Sequence, residues 1–468
     1  MNKKTIFAFM VSFVMGASAI SVEAQSSKGA ITPQVLQQLQ ESGIKSPADR
    51  ALRNAITTNG LVFNNPQKND YPNEYFAYRV PGKGITDQKS SGRCWLFTGL
   101  NILRSQMIDR EGTGEFFFSH AYSFFWDQLE KSNLFLQSII DTKDKPQTDR
   151  TVEWLFKHPI SDGGQFTGVS DILTKYGVVP SEVMPETYSS NNTGRLSSLI
   201  AKLLRQSGID LRKKAAQGAS ERELQAQKIE TLKVIYRLLC LNLGEPPTQF
   251  SYTLRDAQGK ELSTETYTPQ SFFARFVKVD LQKDYVMVMN DPTYPYYKTY
   301  SIELDRHAYD GQNWTYVNVP MEDLKEMAMA SIKGGEMMYY SCDVGQQLER
   351  KKGLLTMDNF DYESVLGVPF TMNKAERIAS FDSGSTHAMT LVAVDVDANG
   401  KPTKWMVENS WGADSGYKGH LIMTDEWFDA YTFRIVVNKK YITTKVADAL
   451  KQKPQMLPPW SPMFAPEE

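Results

Sequence analysis

The chain has 468 residues, 41% of them hydrophobic and 23% charged, with a formal net charge of −2. That balance is ordinary for a globular protein, long enough for one complex domain or several, and it gives no electrostatic reason to expect nucleic acid as a ligand. Beyond the N-terminus no run reaches the ~20 apolar residues of a membrane span, and three cysteines, an odd number, make no disulfide scaffold.

The first residues differ from the rest. Lys3 and Lys4 form a basic start, Ile6 to Val14 is mostly apolar, and Ala17, Ser18 and Ala19 are small. Val22 and Ala24 then offer a cleavage pair before Gln25. This layout predicts a signal peptide over residues 1–24, hence an exported protein, periplasmic or secreted, with no membrane attachment after removal. The apolar run is too short and too interrupted for an anchor.

Residues 25–84 read as two short helices and an extended segment. Thr32-Pro33 and Ser46-Pro47 each look like an N-cap followed by Pro at the first helical position. Over residues 85–194 a helical lobe is expected. In it, Leu96, Leu100, Leu103 and Met107 recur at helical spacing as one face of a buried helix, with Cys94 at its N-terminal end. Residues 195–245 are rich in Leu, Ala, Lys, Glu and Gln and read as a helical insertion. Residues 246–340 read as mixed strands and loops, and 341–450 as a β lobe. Within that lobe Ala388 to Asp395 and Lys404 to Glu408 are strands, with a turn at Asp397-Ala-Asn-Gly400 between them. Residues 451–468 form a Pro-rich, irregular arm.

A thiol needs ionising before it attacks, and both a helix N-terminus and an imidazolium favour the thiolate. Cys94 has the first. Of five histidines, His387 stands just before a β-run, where it would reach the mouth of a cleft. Asn409, at the end of the partner strand, is the candidate to fix the ring's tautomer. Folding the hairpin about Asn399-Gly400 sets residue 387 opposite 412. Asn409 is then roughly 10 Å away along the strand, so a bulge or a longer loop is needed for contact. Gln88, six residues before Cys94, would donate to a developing oxyanion together with the Cys94 backbone N–H.

Asp395-Val-Asp-Ala-Asn-Gly400 begins like an EF-hand loop, but Met406 stands where a bidentate Glu is required, and the flanks read as strands. No His-x-x-x-His or Cys-x-x-Cys pair suggests a metal, and no cofactor is expected.

Gln88-Lys-Ser-Ser-Gly-Arg-Cys-Trp-Leu-Phe97 resembles the nucleophile segment of the bleomycin hydrolase and aminopeptidase C family of papain-like cysteine peptidases. Ser385-Thr-His-Ala-Met-Thr390 and Glu408-Asn-Ser-Trp-Gly412 resemble its histidine and asparagine segments. Asp162-Gly-Gly-Gln165, Tyr176-Gly-Val-Val-Pro180 and Asn290-Asp-Pro292 extend the likeness over nearly the whole chain from about residue 30. The resemblance implies an α+β, two-lobed papain-like fold with a helical insertion. It implies Cys94 as nucleophile, His387 as acid/base, Asn409 as orienter, Gln88 as oxyanion donor and Trp411 as a shield over the His–Asn pair. It also implies peptide substrates, a homohexamer assembled through the insertion, and a C-terminal arm in the cleft whose terminal carboxylate, on Glu468, meets the substrate's amino group. The family's arm usually ends in small apolar residues; this one ends Phe464-Ala-Pro-Glu-Glu468. Ser91 stands where many secreted papain-like enzymes have a disulfide cysteine. Three readings follow: an aminopeptidase, an endopeptidase or peptidyl transferase with an unblocked cleft, or a catalytically silent peptide-binding or assembly protein.

Overall fold

In the computed structural model, which describes residues 29–59 and 74–464, the chain divides into units of residues 1–63 and 64–468. The expected signal peptide and Glu468 lie outside the described residues.

The first unit holds helices Pro33–Glu41 and Pro47–Asn59. Both begin as their sequences predict. The Thr32 hydroxyl accepts the Val35 N–H at 3.3 Å. At the second helix, Ser46 and Asp49 exchange reciprocal bonds of 3.1 and 3.0 Å, satisfying two backbone donors that a helix start leaves open.

In the second unit a helical half packs on a twelve-stranded sheet. Helix Cys94–Glu111 lies against strand His387–Val396. The helix is buried, as its leucine spacing predicts, and beyond the leucine face as well, with Trp95, Phe97, Ile102 and Arg104 enclosed. The cause is its position between the sheet and the helices His120–Asp141 and Phe166–Tyr176. Gly99 is part of this fit, since a Cβ there would stand 2.6 Å from Val169.

The helical stretch after residue 194 is a hairpin of Gly194–Ala216 and Glu221–Leu243. Its second arm opens with a capping box in which the Ser220 N–H reaches Glu223 at 2.7 Å. Leu204, Leu211, Leu224, Ile235 and Leu239 are buried where the pair lies along His120–Asp141.

The middle of the sheet runs Thr432–Asn438, Met338–Cys342, His387–Val396, Pro402–Glu408 in spatial order, each antiparallel to the next. The arm is more regular than its prolines suggest. Gln455–Leu457 adds as a parallel edge strand to Lys298–Ile302, where prolines just past the strand cost no ladder bond. Leu457 and Met463 are buried.

Candidate active site

Cys94 is the first residue of its helix. The Arg93 carbonyl takes the N–H groups of Leu96 and Phe97, each at 3.0 Å, leaving the earliest helical N–H groups directed past the thiol-bearing residue. The turn before it is held by charged groups. Asp162 accepts the Gly92 N–H at 2.7 Å and the Thr193 hydroxyl. Arg93, wholly buried, makes a two-pronged pair with Glu186 at 3.1 and 2.8 Å. Cys94 is half-buried and lines a cleft of about 790 Å³.

His387, Gln88, Gly163, Gly164, Tyr339 and Ser341 line the same cleft. His387 opens its strand opposite Cys342 of the neighbouring strand. The required irregularity between His387 and Asn409 is present. The ladder pairs Thr390 with Glu408 and Leu391 with Val407, then Ala393 with Met406, so Val392 is bulged out. A one-residue slip moves every side chain to the other face. Without the bulge Asn409 would share its face with Thr390. With it, Asn409 shares the face of His387 as a diagonal neighbour.

His387 Nε2 lies 2.8 Å from Asn409 Oδ1, and the Ser410 N–H donates to that same oxygen at 2.8 Å. A backbone N–H can only donate, so the Asn409 atom facing the ring is oxygen. Nε2 therefore carries a hydrogen, and Nδ1 is the nitrogen left for chemistry. The pair is 7% and 2% exposed. Trp411 stacks on the imidazole with centroids 4.8 Å apart, and the Arg350 guanidinium lies over Trp411 at 4.6 Å. Burial pushes the imidazole pKa down to about 4; the Asn409 bond opposes this and Arg350 adds to it.

Gln88 is 6% exposed and fixed at both ends. Its Oε1 accepts the Ser410 hydroxyl at 2.6 Å, and its Nε2 donates to the Ser91 carbonyl at 2.6 Å. A carbonyl only accepts, so the amide orientation is set, and the second N–H remains for the cleft. The backbone joins in: the Gln88 N–H donates to the Ser410 carbonyl at 2.8 Å and the Gly412 N–H to Thr86 at 3.1 Å.

Sequence reasoning placed Ser410, Asp162, Glu186 and Glu408 in family-like segments but gave them no role. Each acts on a partner remote in sequence, which no local pattern reveals. Glu408 is buried beside Asn409 with Arg104 at 3.9 Å and its Oε2 unpartnered. Burial raises its pKa to about 7, against the pull of Arg104 and Arg79.

The other histidines are otherwise engaged. His120 stacks on Phe97 at 3.7 Å, its pKa pushed down by burial to about 3. His307 borders the cleft, but its Nδ1 is bonded to the buried Asp127 and its ring is wedged against Gly164 and Gly168. His158 also borders the cleft, while His420 Nδ1 faces the Lys418 carbonyl at 2.9 Å. None of the three cysteines forms a disulfide; Cys342 is buried and Cys240 half-buried. Among the described residues no group of three or more His, Cys, Asp or Glu is placed to hold a metal. Pro459, Met463 and Phe464 of the arm line the cleft; Glu468, expected to meet the substrate, lies beyond them.

The family model described as the Peptidase C1-like family matches residues 30–464. The chain is 40% identical to aminopeptidase C of Lactococcus lactis over 439 residues, covering 93% of this chain and 99% of that protein. It is 40% identical to human bleomycin hydrolase over 400 residues, covering 83% and 88% respectively. The crystal structure of PepW from Lactobacillus rhamnosis HN001 superposes with a TM-score of 0.89 at 36% identity, covering 93% of this chain and 99% of that one. The α+β fold is thus papain-like, and the chain belongs to the Peptidase C1-like family.

Proposed function

We propose that this cysteine peptidase hydrolyses oligopeptides from their amino ends, with Cys94 as nucleophile, His387 as acid/base, Asn409 as orienter and Gln88 as oxyanion donor. The observation that carries the reading is one cleft bordered by a helix-N-terminal thiol, a histidine bonded through Nε2 to a buried asparagine, and a clamped glutamine amide.

The chemistry follows from the geometry. The helix N-terminus favours the Cys94 thiolate. A thiolate beside His387 supplies the charge that burial alone denies the imidazolium, so the two titrate as a pair. Sγ attacks the scissile carbonyl carbon, and the oxygen takes up negative charge between the Cys94 N–H and the free Gln88 N–H. His387 gives its Nδ1 proton to the departing amine, leaving a thioester. Water then attacks the thioester, its proton passes to Nδ1, and the thiolate leaves. Throughout, Nε2–H stays on Asn409 beneath Trp411, which keeps water from that bond.

The amino-end preference rests on the arm. Pro459, Met463 and Phe464 occupy the cleft wall, and the Glu468 carboxylate is assigned to the substrate's α-amino group. The test pairs two peptides of one sequence, one free and one acetylated at the amino end, with and without a thiol alkylator. Alkylator-sensitive cleavage of the free peptide alone is expected. Equal internal cleavage of both would keep the nucleophile and overturn the role of the arm.

Two further assignments belong here. Assembly into a homohexamer is supported by Leu199, Ile229, Val234 and Leu241 of the helical hairpin, all exposed. Light scattering that gives a monomer mass would reject it. Export is supported by the layout of residues 1–24; mass spectrometry of the natural protein should find it beginning at Gln25.

A further inference from the structure

Most charged groups bordering the cleft are already engaged. Lys131 binds Asp127 at 3.0 Å and the carbonyls of Ser161 and Gly163. Asp162 holds Gly92 and Thr193, and Arg205 donates to the carbonyls of Phe156 and Lys157. Arg306 and Arg434 are the exceptions, each with a buried Nε that lacks a hydrogen-bond partner, and Arg434 is the more deeply buried of the two. Arg434 is 8% exposed, and among the described residues no carboxylate is hydrogen-bonded to it, Tyr339 and Asp305 attracting it only at longer range.

Two other orphaned donors stand beside it. The Arg434 guanidinium lies 3.9 Å from the centre of the Trp314 ring, whose Nε1–H is buried without a partner. Ser341, directly across the ladder from Arg434, has a buried hydroxyl without a partner. All three residues line the cleft and are at least nine-tenths buried. Their placement follows from the sheet. Arg434, Ser341 and Ala388 form one rung across three strands, and residues directly opposite share a face. Ala388 adjoins His387, so the Arg434 backbone lies roughly 10 Å from it, two strand spacings away.

We infer that Arg434, Trp314 Nε1–H and the Ser341 hydroxyl form a carboxylate-binding subsite in the cleft. A fork of guanidinium donors flanked by an indole N–H and a hydroxyl matches the two oxygens of a carboxylate, and no acceptor of this kind reaches them among the described residues. The inference rests on the cysteine-peptidase reading of the cleft.

Two sources supply such a group. One is the chain itself. Phe464 packs against Trp314 and Tyr316, with ring centroids 6.0 and 5.8 Å apart, and the four residues after it include Glu467 and Glu468. Four residues reach at most about 14 Å, enough to bring a carboxylate to Arg434. The other source is an acidic side chain of the substrate.

The test measures kcat/KM for leucyl and glutamyl 4-nitroanilide with the full chain, Arg434→Gln, Trp314→Phe, a chain ending at Phe464, and that truncation combined with Arg434→Gln. If the chain's own carboxylate is bound, truncation and Arg434→Gln each change leucyl turnover about tenfold and the combination changes it no further. If the substrate's carboxylate is bound, Arg434→Gln lowers the glutamyl-to-leucyl ratio about tenfold and truncation leaves it alone. Trp314→Phe moves the same quantity in the same direction by less, and it decides the matter should Arg434→Gln fail to fold. An unchanged glutamyl-to-leucyl ratio, together with effects of truncation and Arg434→Gln that simply multiply, overturns the subsite. Cys94→Ala, assayed on the leucyl substrate, separately judges the peptidase reading: retained hydrolysis overturns that reading, and loss upholds it whichever way Arg434 falls.

Discussion

Asn409 reaches His387 because Val392 is squeezed out of the ladder between their strands. The orienting group is therefore supplied by a register slip, and it depends on one side chain that touches the ring only at Nε2. Asn409→Ala removes that hold and leaves the proton carrier in place. We expect it to retain ~1–10% of kcat/KM, whereas His387→Ala should lose ~10³–10⁴-fold. Steady-state kinetics on a leucyl substrate check the order, and the reverse ranking contradicts the assigned roles.

Ser410 holds Gln88 from both its hydroxyl and its carbonyl. Ser410→Ala keeps the backbone bond and frees the amide. We expect kcat to fall about tenfold with KM nearly constant, against ~10²–10³-fold for Gln88→Ala. In a double-mutant cycle, Ser410→Ala should add little once Gln88 is gone. Full additivity would mean that Ser410 acts by some other route.

Glu408 gives the fold a pH dependence. Its pKa rises from 4.5 to about 7 on folding, so the folded chain holds a proton that the unfolded chain releases. The resulting stabilisation is complete below about pH 4.5 and is lost as pH climbs through 7, amounting to at most about 3 kcal/mol. Relative to wild type, Glu408→Gln should therefore raise the thermal midpoint by an amount that grows as pH climbs from 4.5 to 7. His387 works in the opposite sense. Without a thiolate beside it, burial lowers its pKa from 6.5 to about 4, so in a Cys94→Ala background its contribution is present above 6.5 and lost as pH falls toward 4. Between 4.5 and 6.5 the Glu408 slope is thus opposed by the histidine slopes, to which buried His120 also contributes, and the difference between the wild-type and Glu408→Gln profiles isolates the Glu408 slope.

Arg93, next to the nucleophile and wholly buried, depends on Glu186. Glu186→Gln leaves that cation short of its counter-charge. Since Glu186 is itself partly exposed, we expect a loss of about 1–2 kcal/mol in stability, measured by urea unfolding, with a slower rate of Cys94 alkylation as the turn loosens. Unchanged stability would show that the aromatic faces of Phe97 and Phe124, 5.1 and 5.4 Å away, carry the cation alone.

What could be read beforehand was what lies close in sequence. The caps at Thr32 and Ser46, the helix beginning at Cys94, the hairpin strands and the need for an irregularity between His387 and Asn409 all follow from neighbours a few residues apart. The helix was legible as buried, but the enclosure of its Arg104 was not, because the groups around that side chain, Gly84 and Glu408 among them, come from other parts of the chain. Ser410 was indistinguishable from an ordinary turn serine until Gln88 lay against it. Arg434 in a strand pattern carries no sign that its donors end in a cleft. The arm's prolines suggested irregularity, yet edge pairing tolerates them, and Gln455–Leu457 became a strand.

The hydrogen bond between Gln88 and Ser410 joins positions 322 residues apart. A chain emerging from the ribosome makes the thiol-bearing helix early and waits most of its length for the histidine, its orienter and the group that clamps the oxyanion donor. Until the final quarter has docked, the nascent chain holds a cysteine with neither base nor oxyanion site. Latency during synthesis is thus built into the order of the sequence itself, and the peptidase becomes dangerous to its neighbours only once it is almost finished.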